Sequence, residues 1–265
     1  MSEYRLDGTD LDDAAGRWRL TDVTTLPTLG APRLSSVTVP GRNGVLPIAP
    51  TTVAPIEVTL GLMVTDAAAS GQSGRRGLDE NLRALYARLR RVGAMSDLVH
   101  YPAAGTPKRH AAVRVSASIE PKLYPAANVA EVKVVLEAPA GVWEDVDSTT
   151  SDAADLAGLD GGVMPITAPL VLAVPSTDGS PLRVVDVVSG SSLQWSGARV
   201  ADRTLLIDPA NYRATWTNNG WSGGEDVSAG LSISSPPFAI TPDVQGHHAV
   251  TVTGGTAQIR ARRAY

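Results

Sequence analysis

Short runs in which apolar and polar residues alternate make up most of the chain, and Gly or Pro residues separate them. In the first half the clearest run is 53–64, where apolar residues stand at every second position: Ile56, Val58, Leu60 and Leu62. Similar runs cover 97–101, 111–119 and 129–137. A period of two is typical of a strand that buries one face, so the first half is predicted to be a β domain.

One segment of the first half has helical periodicity instead. Its apolar residues are spaced by four, three, four and three positions, which places them on one stripe of a helix over 78–92: Leu78, Leu82, Leu85, Leu89 and Val92. Asp79 and Glu80 are expected in the first turn and Arg88 in the last, where their charges complement the helix dipole. We expect the stripe to pack this helix on the sheet.

The second half shows no helical stripe after Met164, and turn residues recur about every ten positions, the spacing of a β-sandwich. The predicted strands are 170–174, 182–188, 192–195, 204–208, 213–217, 230–233, 237–240, 249–253 and 257–262. A stretch rich in Asp, Ala, Gly, Ser and Thr precedes them. The predicted organisation is therefore an N-terminal domain (1–140), a linker or irregular start of the second domain (141–162), and a C-terminal β-sandwich (163–265).

Composition and charge exclude several classes of protein. The formal net charge is −4, which does not favour a basic nucleic-acid binder. There is no cysteine, and so no disulfide framework or thiolate metal site. The polar N-terminus does not have the pattern of a secretory signal, and no apolar run approaches the roughly 20 residues of a membrane span, so no membrane insertion is expected.

Candidate catalytic or metal-binding residues are few. The adjacent His247 and His248 are predicted to be exposed in a turn, and the carboxylate pairs Asp12-Asp13 and Glu144-Asp145 to be solvated. No nucleophile elbow, phosphate-binding loop, dinucleotide-binding glycine pattern or His-Glu-x-x-His motif is present. We therefore assign no catalytic, cofactor-binding or metal-binding residue and predict a structural protein rather than an enzyme.

Three of the five tryptophans lie in the predicted C-terminal β-sandwich. Trp195 and Trp216 stand inside alternating strands, which predicts core positions. Trp221 stands in the Gly-rich loop 218–224, where an exposed indole could stack on a sugar ring, so it is a tentative glycan contact.

Two short motifs, together with this layout, carry a resemblance to a known family. One is a turn of two Gly-containing dipeptides that interrupts the run 33–46: Val39, Pro40, Gly41, Arg42, Asn43 and Gly44. The other is the phrase Leu205–Pro209 in the second domain. In order and length the chain resembles the distal tail proteins (Dit-like) of long-tailed (siphovirus) bacteriophages. Its Ala-, Arg- and Gly-rich style resembles that of phages with an actinobacterial host.

The resemblance implies an N-terminal sandwich or barrel-like β domain with one amphipathic helix, followed by a galectin-like β-sandwich. It also implies a virion protein of the tail tip or baseplate, assembled in the host cytoplasm. The N-terminal domains would form a ring, usually hexameric, that joins the tail tube to tail-tip or tail-fibre proteins, while DNA passes through the lumen. Val39–Gly44 would shape the N-terminal domain.

Two other functions stay open at this point. One is a carbohydrate-binding module that contacts the host cell surface through Trp221. The other is a hydrolase of cell-wall polymers, which would need an acid–base carboxylate pair or a zinc site. The sequence offers a named residue for the first and none for the second.

Overall fold

Antiparallel strands form at most of the alternating runs, which confirms the prediction of a mainly β protein. The computed structural model describes residues 3–33, 35–38, 45–48, 53–67, 69–89, 94–102, 105–218 and 220–265. The chain divides into two compact units, which are unit 1 (Met1–Val146) and unit 2 (Asp147–Tyr265). This division falls inside 141–162, the segment predicted as a linker or as the irregular start of the second domain.

In the described part of unit 1, six strands precede one α-helix along the chain and five follow it. In chain order its elements are β1 (Tyr4–Leu6), β2 (Thr9–Asp10), β3 (Trp18–Leu20), β4 (Ser35–Thr38), β5 (Val45–Ile48), β6 (Ile56–Val64), α1 (Gly74–Leu89), β7 (Ser96–His100), β8 (Arg109–Val115), β9 (Pro121–Tyr124), β10 (Val129–Ala138) and β11 (Glu144–Asp145).

Nine of these strands form one antiparallel sheet in the order β2-β1-β7-β8-β10-β6-β3, with β9 beside β10 and β11 beside β8. β6 and β10 pair from Ile56↔Ala138 to Val64↔Ala130, and alternate residues of β6 are buried as their period of two predicts. The Tyr4 hydroxyl on β1 donates to the carbonyl of Thr25, which lies beside β6. Because β1 lies near one end of the strand order and β6 near the other, this bond shows that the sheet curls, as expected for a barrel-like domain.

β4 and β5 pair only with each other among the described strands. The predicted turn Val39–Gly44 lies outside the described residues, so its role in shaping the domain stays a prediction.

The helix begins earlier than its leucine stripe predicts. Four stripe residues are buried on its inner face: Leu78, Leu82, Leu85 and Leu89. The fifth, Val92, lies outside the described residues. Because α1 begins at Gly74, Asp79 and Glu80 lie in the second turn, and the predicted acidic first turn is wrong.

Contacts with the loop that precedes the helix explain its early start. The Asp66 carboxylate accepts a hydrogen bond from the Gly74 N–H at 2.8 Å, and the Asn81 amide donates to the carbonyl of Thr65 at 2.8 Å. A cap supplied eight residues upstream is not visible in the local helix pattern. A Cβ atom on Gly77 would lie 2.1 Å from the Asp66 carbonyl oxygen, so the loop can approach this turn only because residue 77 is Gly.

Unit 2 is all β apart from two short 3-10 turns among its described residues. Its strands are β12 (Thr149–Asp152), β13 (Leu170–Pro175), β14 (Leu182–Asp186), β15 (Ser192–Trp195), β16 (Thr204–Asp208), β17 (Arg213–Thr217), β18 (Glu225–Asp226), β19 (Leu231–Ile233), β20 (Val250–Thr253) and β21 (Gly255–Ala261).

Two sheets of unit 2 share one core, which confirms the predicted sandwich. One has the order β12-β21-β13-β16-β17-β18 and the other β19-β15-β14-β20. Residues of both sheets, such as Val171 and Ile259 from the first and Val184 and Leu193 from the second, are fully buried in a single apolar cluster. The galectin-like comparison goes beyond this description and stays a prediction.

One strand of the C-terminal prediction is wrong. Residues 237–240 do not form a strand, and Ile240 instead makes an isolated antiparallel bridge with Ile166. Both side chains are buried, so the apolar pattern that suggested a strand reflects burial of a single bridge. The strand β12, which the sequence did not predict, pairs with β21 through Thr149–Asp152.

Among the described residues, no helix has the length and apolar character that crossing a membrane requires.

Candidate functional site

The two adjacent histidines have opposite environments. His247 is exposed as predicted, but His248 is wrongly predicted because its side chain is completely buried. Its backbone N–H donates to the Asp160 carboxylate at 3.0 Å, and neither ring nitrogen has a hydrogen-bond partner within the protein. Burial lowers the pKa of His248, although Asp160, Asp186 and Asp243 act in the opposite direction. Burial thus disfavours the charged ring, although His248 Nδ1 lies 3.8 Å from the Asp160 carboxylate.

The carboxylates of Asp12 and Asp13 bind groups of their own loop and of the strand that follows it. Asp12 accepts from the Leu20 N–H at 2.7 Å, and Asp13 forms an ion pair with Arg17 at 2.7 Å. Arg17 is the main cause of the lowered pKa of Asp13. Asp145 lies in β11 and is 5% exposed, so the prediction of a solvated pair at Glu144-Asp145 is wrong.

A histidine that the sequence did not single out lies between two carboxylates. His110 Nδ1 is 2.9 Å from the Asp97 carboxylate, and His110 Nε2 is 3.7 Å from Glu144. These residues stand on β8, β7 and β11, which are neighbours in the sheet. Within the part of the chain that the structure describes, no group of three or more His, Cys, Asp or Glu side chains could hold a metal ion.

The tryptophans of unit 2 fall into the two predicted classes. Trp195 and Trp216 are buried in the core and pack edge to face, with ring centroids 5.2 Å apart. Trp221 is half-buried, and the guanidinium carbon of Arg260 lies 4.4 Å from the centre of its ring. This cation–π contact fixes the indole on the surface of unit 2.

The sequence did not predict the exposed apolar segment along the edge of the unit 1 sheet. Residues 21–33, which we call the edge segment, run beside β6: the N–H groups of Thr21 and Thr25 donate to the carbonyls of Gly61 and Thr59, each at 2.9 Å. Leu26 and Leu29 are 63% and 61% exposed. The ten residues 23–32 carry no charge, and this uncharged run was the available signal in the sequence.

A pocket of about 230 Å³ lies at the start of β10. Its apolar lining comes from the helix and from the β9–β10 hairpin: Leu78, Leu123, Pro125 and Val129. Arg75 and Tyr124 also border it, and both are exposed. Tyr124 is held in place by Glu131, which accepts from its hydroxyl at 3.0 Å, and by Lys122, which lies 5.2 Å from the ring centre. We call this the hairpin pocket.

Comparison with known proteins finds no matching family model and no matching curated protein. Solved structures do match. The crystal structure of Dit (gp 19.1) from phage SPP1, described as a paradigm of the hub adsorption apparatus in phages that infect Gram-positive bacteria, has a TM-score of 0.70 at 15% identity. The match covers 99% of this chain and 98% of that chain.

Two structures of the phage p2 baseplate in its activated conformation, with Sr and with Ca, match more weakly. Their TM-scores are 0.39 and 0.40 at 12% identity, over 98% of this chain and 97% of theirs. Scores at this level add nothing to the comparison with SPP1. The resemblance inferred from the sequence is thus confirmed at the level of the fold, and over nearly its full length the chain has the fold of the phage distal tail protein Dit.

Proposed function

We propose that this chain is a structural component of a phage tail tip or baseplate, an adaptor that joins the tail tube to tail-tip or receptor-binding proteins. The observation that carries the proposal is the likeness to SPP1 Dit, which extends over both units and leaves almost no part of either chain unmatched. A match of both units favours a shared role more than a match of one common β-sandwich would.

The adaptor is proposed to act as a homo-oligomeric ring, hexameric by analogy with the family, within the virion. Ring closure needs two different surfaces on each copy, since a head-to-tail contact repeats until the rotation closes. A net charge of −4 also suits a lumen through which DNA passes without sticking.

The mass of the purified full-length chain in solution tests this function. We expect light scattering after size exclusion to give close to six times the 27.6 kDa mass of the chain, and negative-stain images to show closed rings. Addition of tail tube protein serves as the template control. A chain that stays monomeric at high concentration with and without the tube protein contradicts the proposed function.

No catalytic role is proposed. The carboxylate of Asp13, for example, already binds the Arg17 guanidinium and accepts a hydrogen bond from the Ala15 N–H. A cell-wall zymogram that shows a clearing zone for this chain, and loses it with a Glu144→Gln variant, would overturn this part of the proposal.

Glycan contact through Trp221 is a second candidate for unit 2. The observation in its favour is the half-exposed indole: Arg260 lies over one face of the ring, and the opposite face is the one proposed to stack on a sugar. We expect a glycan array to give signals that Trp221→Ala removes and that Tyr212→Ala, at an exposed aromatic residue elsewhere in unit 2, retains. Absence of any signal from the wild-type chain rules this candidate out.

A further inference from the structure

A short segment of unit 2 forms one wall around the buried ring of His248. This segment, residues 160–166, which we call the strap, follows the 3-10 turn Ala157–Leu159 and precedes β13. Gly162 lies against the ring, since a Cβ atom there would stand 3.5 Å from His248 Cε1. The side chain of His248 has no solvent exposure, so movement of the strap would open the ring to water.

Few backbone hydrogen bonds hold the strap in place. The Gly161 N–H donates to the Gly246 carbonyl at 3.2 Å, and the N–H groups of the next bonded residues share one acceptor on Ala264. The strand-like pairings of the strap are isolated bridges outside both sheets: Met164↔Ala264 and Ile166↔Ile240. A segment held by so few bonds can open locally while the sheets beside it stay formed.

A charged His248 ring would lack acceptors for its protons. In the described part of the chain, neither ring nitrogen has a hydrogen-bond partner. Asp160 Oδ1 is 3.8 Å from His248 Nδ1, and this oxygen already accepts from the His248 backbone N–H at 3.0 Å. The neutral ring carries one N–H and the charged ring two. Proton uptake therefore adds a charge and a second donor where the closed structure provides no acceptor within hydrogen-bond distance.

The other charged groups around His248 bind partners of their own. Asp186, at the end of β14, accepts from two loop N–H groups at 2.8 and 3.1 Å. Asp243 accepts from two N–H groups of its own turn at 2.8 and 2.9 Å, and Arg263 donates to the backbone carbonyl of Asp160 at 3.4 Å. The three carboxylates favour the charged ring, but burial has the larger effect and lowers the pKa of His248.

We propose that the strap is a proton-sensitive latch: when His248 takes up a proton, residues 160–166 move away from the ring while both sheets of unit 2 stay formed. In the open form, water solvates the charge that the closed form excludes. The open ring titrates near the ordinary value of 6.5 and the enclosed ring below it, so opening is favoured as the pH falls below 6.5. The inference concerns unit 2 alone and does not rest on the proposed tail-tip function.

Hydrogen exchange of the full-length chain, followed by mass spectrometry at pH 7.5, 6.5 and 5.5, tests the latch. After correction for the intrinsic pH dependence of exchange, the strap amides should exchange faster below pH 6.5, by up to about tenfold per pH unit, the limit for one proton. The amides of β13 and β21 should keep their protection. Equal acceleration in the strap and in these strands would mean that unit 2 unfolds as a whole, which overturns the inference.

Two variants assign the response, because His247 and His248 are the only histidines of unit 2. His247→Gln leaves His248 as the single histidine of this unit and should retain the full response. His248→Gln should lose it, so that exchange of the strap no longer depends on pH between 7.5 and 5.5. His248→Phe, whose ring cannot be protonated, replaces His248→Gln if far-ultraviolet circular dichroism shows that the latter is not folded.

Each outcome decides the inference. A response that is confined to the strap, retained by His247→Gln and lost without the His248 ring supports it. A strap whose exchange in the wild type does not depend on pH overturns it, and so does a response that persists without the His248 ring. None of these results bears on the proposed function, which the mass of the assembled chain tests separately.

Discussion

At the scale of single residues, burial decides properties that neighbours in the sequence do not reveal. His247 and His248 are adjacent and chemically identical, yet one is exposed and the other is enclosed in unit 2. Asp186, also fully buried, accepts from the N–H groups of Ser189 and Thr241 at 2.8 and 3.1 Å and so joins two loops. Neither environment could be predicted from local sequence, because both depend on segments more than 50 residues apart.

His248 predicts a loss of stability in mild acid. Burial lowers its pKa in the folded state below the ordinary value of 6.5, so the unfolded chain takes up a proton first as the pH falls. The free energy of unfolding should be constant above pH 7 and should decrease below about 6.5, by at most about 1.4 kcal/mol per pH unit for one group.

Denaturant unfolding at several pH values between 7.5 and 5 measures this effect. His248→Gln should flatten part of the decrease, while His247→Gln, at the exposed neighbour, should not. The decrease should persist in full in His247→Gln. It should persist in part in His248→Gln, because burial also lowers the pKa of His100 in unit 1. Equal pH profiles for the wild type and His248→Gln would contradict the prediction.

Gly77 gives a second prediction at this scale. An Ala at this position would place its Cβ atom 2.1 Å from the Asp66 carbonyl oxygen, a backbone atom that cannot move away freely. Gly77→Ala should therefore lower the free energy of unfolding by about 1–3 kcal/mol, although Ala favours a helix over Gly by about 1 kcal/mol. Arg76→Ala, at the exposed neighbouring position, is the control and should be neutral or slightly stabilising in the same thermal unfolding measurement.

At the scale of elements, the period of the apolar pattern predicted the type of most elements and left their ends uncertain. β6 and β10 follow the period of two, and α1 follows the stripe of leucines. The helix start was missed by four residues because Asp66 supplies the cap from the preceding loop. β9 was missed because it is short and mostly exposed, and its pairing with β10 defines it.

The leucine stripe predicts the stability of unit 1. Leu82 and Leu85 are 7% and 0% exposed, so Leu82→Asp with Leu85→Asp would bury two charges without partners. We expect no soluble ring and little soluble protein. The milder Leu85→Ala should cost about 2–5 kcal/mol.

The control for the leucine stripe is Arg83→Ala, on the exposed face of the same helix, measured by the same denaturant titration. A soluble ring that survives the double Asp change would mean that the stripe does not pack this helix on the sheet.

At the scale of the whole molecule, the two units have separate cores, and the start of unit 2 can be tested. Ala153, Leu156 and Leu159 precede the predicted boundary at residue 163, yet they are buried in the core of unit 2. β12 also lies before that boundary and pairs with β21. Residues 147–162 therefore supply both core side chains and an edge strand.

Two fragments compare the boundaries. We expect residues 147–265 to unfold cooperatively on their own, and residues 163–265 to be less stable by several kcal/mol, since each lost buried leucine contributes about 1.5–3 kcal/mol. Urea titration followed by tryptophan fluorescence measures both. Equal stability of the two fragments would show that 147–162 is dispensable, as a linker would be.

By itself, the sequence determined the mainly β character, the single helical stripe, the order of a helix-bearing unit and an all-β unit, and the resemblance to distal tail proteins. These features follow from local periodicity, which needs no knowledge of distant contacts. Only the tertiary structure decided that His248 and Asp145 are buried, that 147–162 completes the sandwich, and that Leu26 and Leu29 are exposed beside β6. Each of these depends on which distant segments pack together, and one-dimensional spacing does not encode that information.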